Sequence, residues 1–192
     1  MTAKGQPSLD RVTGGKWLEL LKELAPGLKR AAVIRDPSLA AGIGQFAAIQ
    51  ALASSSEIEL TAVSARDRME VATALSEFGS EPGGGVIVTA SASSTALREQ
   101  LFSLSLQHRL PTVYPFRYYV AGGGLVAYGP DLTAIYARSA EYVDRILKGT
   151  KAADLPVQAP THNKLSINLK TAKAMGLSIA NTLIARADEV IE

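Results

Sequence analysis

The 192 residues are 47% hydrophobic and 20% charged, the make-up of a folded chain with one large or two small domains, too apolar for disorder and without coiled-coil or collagen bias. Twenty basic residues nearly cancel 18 acidic ones, and because they are scattered rather than clustered no nucleic-acid footprint is present. The absence of cysteine excludes disulfides, thiolate zinc sites, iron–sulfur clusters and cysteine nucleophiles, and two histidines are too few for a histidine-rich metal site.

Residues 1–13 read as a lead-in or disordered segment. The first ten, MTAKGQPSLD, hold no apolar core, so no export peptide is expected in this chain. No apolar run reaches the roughly 18 residues that span a bilayer. From Gly14 onward, helix-like and strand-like patterns alternate. Trp17, Leu18, Leu20, Leu21 and Leu24 form one helical stripe, stopped by Pro26-Gly27. Residues 31–34 (AAVI) are a short strand ending in the turn Arg35-Asp36-Pro37-Ser38. A small-residue helix over 44–53, a strand over 58–63 and a helix over 69–78 follow. Glycines 83–85 read as a loop before the buried strand 86–88, and Ser93 or Ser94 caps a helix running to about Gln107. Next come a strand at 112–114, a glycine turn at 122–124 and a strand at 125–128. Asp131 then caps a helix with apolar positions Leu132, Ile135, Tyr136, Val143, Ile146 and Leu147, closed by Gly149. A Pro-punctuated connector (150–160), a strand (165–169) and two short helices complete the chain.

This β-α rhythm predicts an α/β fold: a Rossmann-like, doubly wound parallel sheet with helices on both faces. Ligands of such sheets bind beyond the carboxyl ends of the strands. Four loops therefore matter: 36–42, 89–94, 114–117 and 128–131. In the first, Gly42-Ile43-Gly44-Gln45-Phe46-Ala47 matches the G-x-G-x-x-A form of a dinucleotide fingerprint, with Glu57 or Glu59 downstream. The polar turn before it separates the glycines from the strand, so a small-residue helix packed on the sheet is the preferred reading. A nucleotide-binding enzyme is the alternative. His108 complements the end of a helix, and no G-x-S-x-G elbow exists to make a Ser91, His108 and Asp131 triad catalytic. No catalytic residue, metal or cofactor is expected. The hydroxyls and backbone N–H groups of 89–94 can hold an anion or simply cap a helix. Tyr114-Pro115-Phe116-Arg117-Tyr118-Tyr119 can wall a ligand or fill the core. Asp131 can pair with a ligand ammonium or serve as a cap alone.

Several stretches together resemble one family: GGKWLELLKELAPGLKRAAVIRDP, LPTVYPFRYYVAGGGLVAYGPDL, AEYVDRILKGTKAADLPVQAPT and LSINLKTAKAMGLSIANTLIARADEVIE. The chain is similar to substrate-binding proteins of ABC importers, in the branch associated with tryptophan, tyrosine and related small ligands. The resemblance implies one lobe of a type I periplasmic binding protein, a periplasmic location, membrane subunits of an importer as partners, and an amino-acid-like ligand held between two lobes. It implies that 14–130 is the second lobe, that 131–149 packs on the first lobe in relatives, and that 150–192 returns to the second. With the first lobe absent, the 131–148 helix is expected to be covered by a second copy, giving a homodimer. Asp131 of the YGPD motif would meet the ligand's ammonium, Tyr128 and Phe116 would line its pocket, and Ser91, Ser93 and Asp36 or Ser38 would supply polar contacts. Arg35-Asp36 departs from the Asn-rich wording of relatives, which leaves the solute open. A blander reading is an α/β domain serving only assembly.

Overall fold

The structure, a computed structural model, describes residues 9–158, 160 and 162–192. Residues 1–8 of the expected lead-in lie outside them. Helix α1 (Leu9–Leu24) begins five residues before Gly14, so 9–13 belong to it. Then follow β1 (Arg30–Arg35), α2 (Ala40–Ser54), β2 (Glu59–Ser64), α3 (Arg68–Ser80) and β3 (Gly84–Val88). The next elements are α4 (Ala92–Ala96), α5 (Arg98–Gln107), β4 (Thr112–Tyr114), α6 (Arg117–Ala121), β5 (Val126–Pro130) and α7 (Leu132–Leu147). After a 3-10 turn at Ala152–Asp154 come β6 (Asn163–Asn168), α8 (Leu169–Met175), α9 (Asn181–Ile184) and β7 (Glu189–Ile191).

The seven strands form one sheet in the order β2-β1-β3-β4-β5-β6-β7. Alternate residues of each strand point to opposite faces, and the core divides accordingly. Ala31, Val33, Ile87, Val113, Val126 and Ile167 pack with α1, α2, α8 and α9. Ala32, Ile34, Val86, Val88, Tyr114 and Ala127 pack with α3, α5 and α6. The doubly wound α/β architecture is the one its patterning predicts.

Local corrections have physical causes. Gly84 and Gly85 are not a loop but the start of β3, because a Cβ at Gly85 would stand 2.9 Å from a Leu28 methyl and 3.0 Å from those of Leu21. The bare backbone lets α1 pack close. The helix expected to start at Ser93 or Ser94 is capped by Ser91 and breaks into α4 and α5 at Leu97. The sheet is not wholly parallel: β6 runs antiparallel to β5, with Tyr128 opposite Leu165 and Pro130 opposite Asn163. A helix that crossed back over the sheet would return the chain for a parallel strand. Helix α7 does not cross back, so the chain re-enters at the end it left.

Candidate functional site

Strands β1 and β3 are neighbours, but α2 leaves β1 on one face and α4–α5 leave β3 on the other. Such a reversal opens a crevice at the carboxyl edge. In this chain the crevice is stitched by its own polar groups. Asp36, 5% exposed, accepts at Oδ1 from the Ser38 backbone N–H (2.9 Å) and from the Ser38 hydroxyl (2.6 Å). Its Oδ2 accepts from the Ser93 hydroxyl at 2.6 Å, tying the β1 loop to the β3 loop. The Ser38 hydroxyl, then that of Ser93, then the Ser38 N–H hold the carboxyl down to about 2, against the opposing push of burial and with a further contribution from Arg66. Deeper in, the Thr89 hydroxyl and backbone N–H both donate to the carbonyl of Ile34, and Gln45 Oε1 accepts from the Ala90 N–H at 3.3 Å.

Ser91 serves α4. Its Oγ accepts from the Ser94 N–H at 2.9 Å and shares a proton with the Ser94 hydroxyl at 2.7 Å. The sequence segment suspected as a dinucleotide fingerprint lies inside α2. Gly42 is required there because a Cβ would meet the Asp36 carbonyl oxygen at 2.7 Å, whereas Gly44 faces open space. The first glycine thus accommodates the Asp36 turn.

The aromatics after β4 form a ladder from surface to core. Phe116 stacks on Tyr118 (5.4 Å between centroids), Tyr118 on Tyr119 (4.8 Å) and Tyr119 on Tyr114 (5.0 Å). Burial pushes the phenols of Tyr114 and Tyr119 well above the usual range, so both stay neutral. Thr95 Oγ1 lies within hydrogen-bond distance of both Tyr118 and Tyr119 hydroxyls. Phe116 packs on the core face of α3, α5 and α6, whereas Tyr128 packs on the face of α1. The Tyr128 carbonyl accepts from Trp17 Nε1–H at 2.7 Å. Gly129 lets the two loops touch: a Cβ there would collide with the Pro115 carbonyl oxygen.

Asp131 caps α7, its Oδ1 accepting from the backbone N–H groups of Thr133 and Ala134. Its Oδ2 is 2.7 Å from Lys164 Nζ. That ammonium, foremost, holds the Asp131 carboxyl below its usual range, and Asp131 in turn raises Lys164. Arg117, at the start of α6, pairs with Glu189 of β7 at 2.5 Å. Helix α7 and the returning connector form an arm. Tyr142 Oη donates to the Pro156 carbonyl (2.7 Å) and Arg138 to Gln158 Oε1 (2.8 Å). Between them lies a groove of about 150 Å³, lined by Asp131, Ile135, Arg138, Tyr142, Gln158 and His162. No residue of α7 is buried: Tyr136 is 73% and Leu147 81% exposed.

The structure therefore brings Asp36, Ser38 and Ser93 together, leaves Ser91 to its cap, and sets Asp131 beyond β5. Lys164 and Gln45 escaped the sequence reading. The strand register opposite Gly129 is what delivers Lys164 to Asp131, and no local motif marks it. Among the described residues no helix is long and apolar enough to cross a membrane.

A family model described as ABC transporter substrate binding protein matches residues 9–191. No curated protein matches the chain. Among solved structures, a conserved domain protein from Vibrio cholerae superposes with a TM-score of 0.80 at 24% identity, covering 92% of this chain and 60% of that one. An ABC domain in complex with L-Trp from Streptococcus pneumonia gives 0.81 at 22% identity, covering 93% and 60%. A ligand-free, open substrate-binding protein with adhesive properties from Clostridium difficile gives 0.67 at 20% identity, covering 92% and 59%. These likenesses establish a shared fold, and the chain spans about 60% of the length of those structures.

Proposed function

The chain belongs to the ABC transporter substrate-binding protein family, and we propose that it is one lobe of a solute-binding component serving an importer outside the cytoplasmic membrane. The solute is small and amino-acid-like, held without catalysis between this carboxyl edge and a facing surface. What carries the reading is the pairing of a loop-rimmed sheet edge with an uncovered helix, α7, that leaves from the same edge. Membership of the family adds to it, and so does the L-Trp held by one structural relative. In this reading residues 14–130 and 150–192 form the lobe, and 131–149 reaches to the facing surface.

Asp131 meets the solute ammonium by exchanging it for that of Lys164, a trade of one charge-assisted bond for another. Tyr128 and Phe116 flank the solute, and Ser38, Ser91 and Ser93, with Asp36 behind them, supply polar contacts. Closure gains contacts from both sides that the open state lacks. In this chain alone the facing surface is supplied by a second copy over α7, since an apolar face of this kind promotes association.

Native mass spectrometry of the purified chain with L-tryptophan and L-tyrosine tests the reading, because it reports subunit count and bound solute together. A dimer retaining an amino acid, lost in Asp131→Ala, is expected. A copurified nucleotide that survives Asp131→Ala and is lost in Gly44→Val would replace transport by the nucleotide-binding alternative.

A further inference from the structure

The β1–β3 edge has a definite hydrogen-bond polarity, fixed by which groups can donate. An ionised carboxylate only accepts, so both hydroxyl protons, of Ser38 and of Ser93, are committed to Asp36. The Thr89 hydroxyl proton is likewise committed, to Ile34. What the Ser38 and Ser93 hydroxyls have left to offer outward is lone pairs. Ser38 is exposed and Ser93 half-buried, so those lone pairs can be reached.

A Rossmann-like edge would hold an anion here, between the starts of two helices. That place is taken. Asp36 lies buried between the turns leading into α2 and α4, its backbone carbonyl against Gly42 and its side chain against Ser93. We infer that Asp36 is a built-in anion acting through Ser38 and Ser93: the solute group received between the β1 and β3 loops is a hydrogen-bond donor, foremost an ammonium, and not a carboxylate or phosphate. The inference rests on the solute-binding reading and makes it more specific. Strand β5 stands three strand spacings from β1, about 14 Å, so one amine cannot reach both Asp36 and Asp131. The solute carries a donor at this end in addition to whatever Asp131 holds. Arg66 offsets part of the Asp36 charge, but it gives the serines no donor to present. Asp36 is therefore a positioning residue that selects through its neighbours.

The test is an NMR titration of the whole chain with methylammonium, acetate and inorganic phosphate at matched ionic strength, followed at the amides of 36–38 and 90–93. Methylammonium is expected to shift them saturably and about tenfold more tightly than acetate, the difference a charge-assisted bond makes. Asp36→Asn presents an N–H to one serine and turns that serine's proton outward, so the preference should fall about tenfold, with amide dispersion reporting the fold. If that variant does not fold, Ser93→Ala takes its place: it should weaken methylammonium without gaining acetate. Acetate or phosphate binding at least as tightly as methylammonium, or no response to methylammonium, overturns the proposal. No natural solute is used, so failure to retain any amino acid would sink the transport reading and leave this result standing.

Discussion

Two regions at the same end of the sheet are built on opposite terms. At the β1–β3 edge the polar groups are matched internally: Asp36 is 5% exposed and holds three donors. Along α7 the apolar groups are unmatched, and Tyr136, Val143, Ile146 and Leu147 face outward. The first region is preorganised, its two loops held by their own hydrogen bonds. Among the described residues the second is held by the Asp131–Lys164 pair, the Asp131 N–H to the His162 carbonyl and the hydrogen bonds to its own connector. A binding lobe needs both. Rigid loops set selectivity without an ordering cost at capture, and an arm that makes few contacts with its own lobe is free to pack elsewhere.

The comparison is tested most severely in the core under the rigid edge. Leu21 is fully buried on α1, its methyls against Gly85 of β3. Leu21→Ala should cost about 3 kcal/mol of unfolding free energy in urea, transfer and cavity terms together. A loss below about 1 kcal/mol would mean that α1 repacks and that the edge is not rigid.

Acid should act on the same edge. The folded carboxyl of Asp36 is held at about 2 and that of Asp131 is also lowered. For groups depressed on folding, the stabilisation is complete above the unfolded value near pH 4 and is lost as pH falls through the folded values. The urea midpoint of the wild type should therefore drop between about pH 4 and pH 2, and Asp36→Asn should flatten that drop while leaving the Asp131 share. A variant as steep as the wild type would show that Asp36 is not the group responsible.

How much of this was legible beforehand follows the range of the interactions. The strands at 31–34, 86–88 and 112–114 announce themselves as short apolar runs, and Asp131 as a cap, because periodicity and capping are local. Gly85 misleads because its reason is Leu21 of α1, more than sixty residues away, and Gly84 because its reason is the close approach of Phe78 and Leu110. The antiparallel β6 is invisible to any local pattern, since it depends on where α7 goes. The sequence marks Asp36 and Ser93 only singly as solute contacts; that one holds the other needs β1 and β3 to be neighbours. Lys164 carries no signal at all until the register opposite Gly129 is known.

Smaller effects are expected in the arm. Tyr142→Phe removes only the bond to the Pro156 carbonyl, worth about 1 kcal/mol locally. Hydrogen exchange should quicken at 150–158 while the global transition stays in place. A matching loss of global stability would show that the arm folds as part of the lobe.

The smallest effect on stability and the clearest on association should come from Val143→Ser. Val143 is 54% exposed on the open face of α7. The unfolded and folded states see it in nearly the same solvent, so monomer stability should move by less than about 0.5 kcal/mol. If the face is covered by a second copy, the serine lowers the apolar area that association would bury, and sedimentation should show the dimer weakened. Leu21→Ala cannot separate these two quantities, because a destabilised lobe associates through whatever it exposes. Val143→Ser can. A chain that stays monomeric with or without the substitution would mean that α7 waits for a surface outside this chain, and the contrast with the self-contained β1–β3 edge would then be complete.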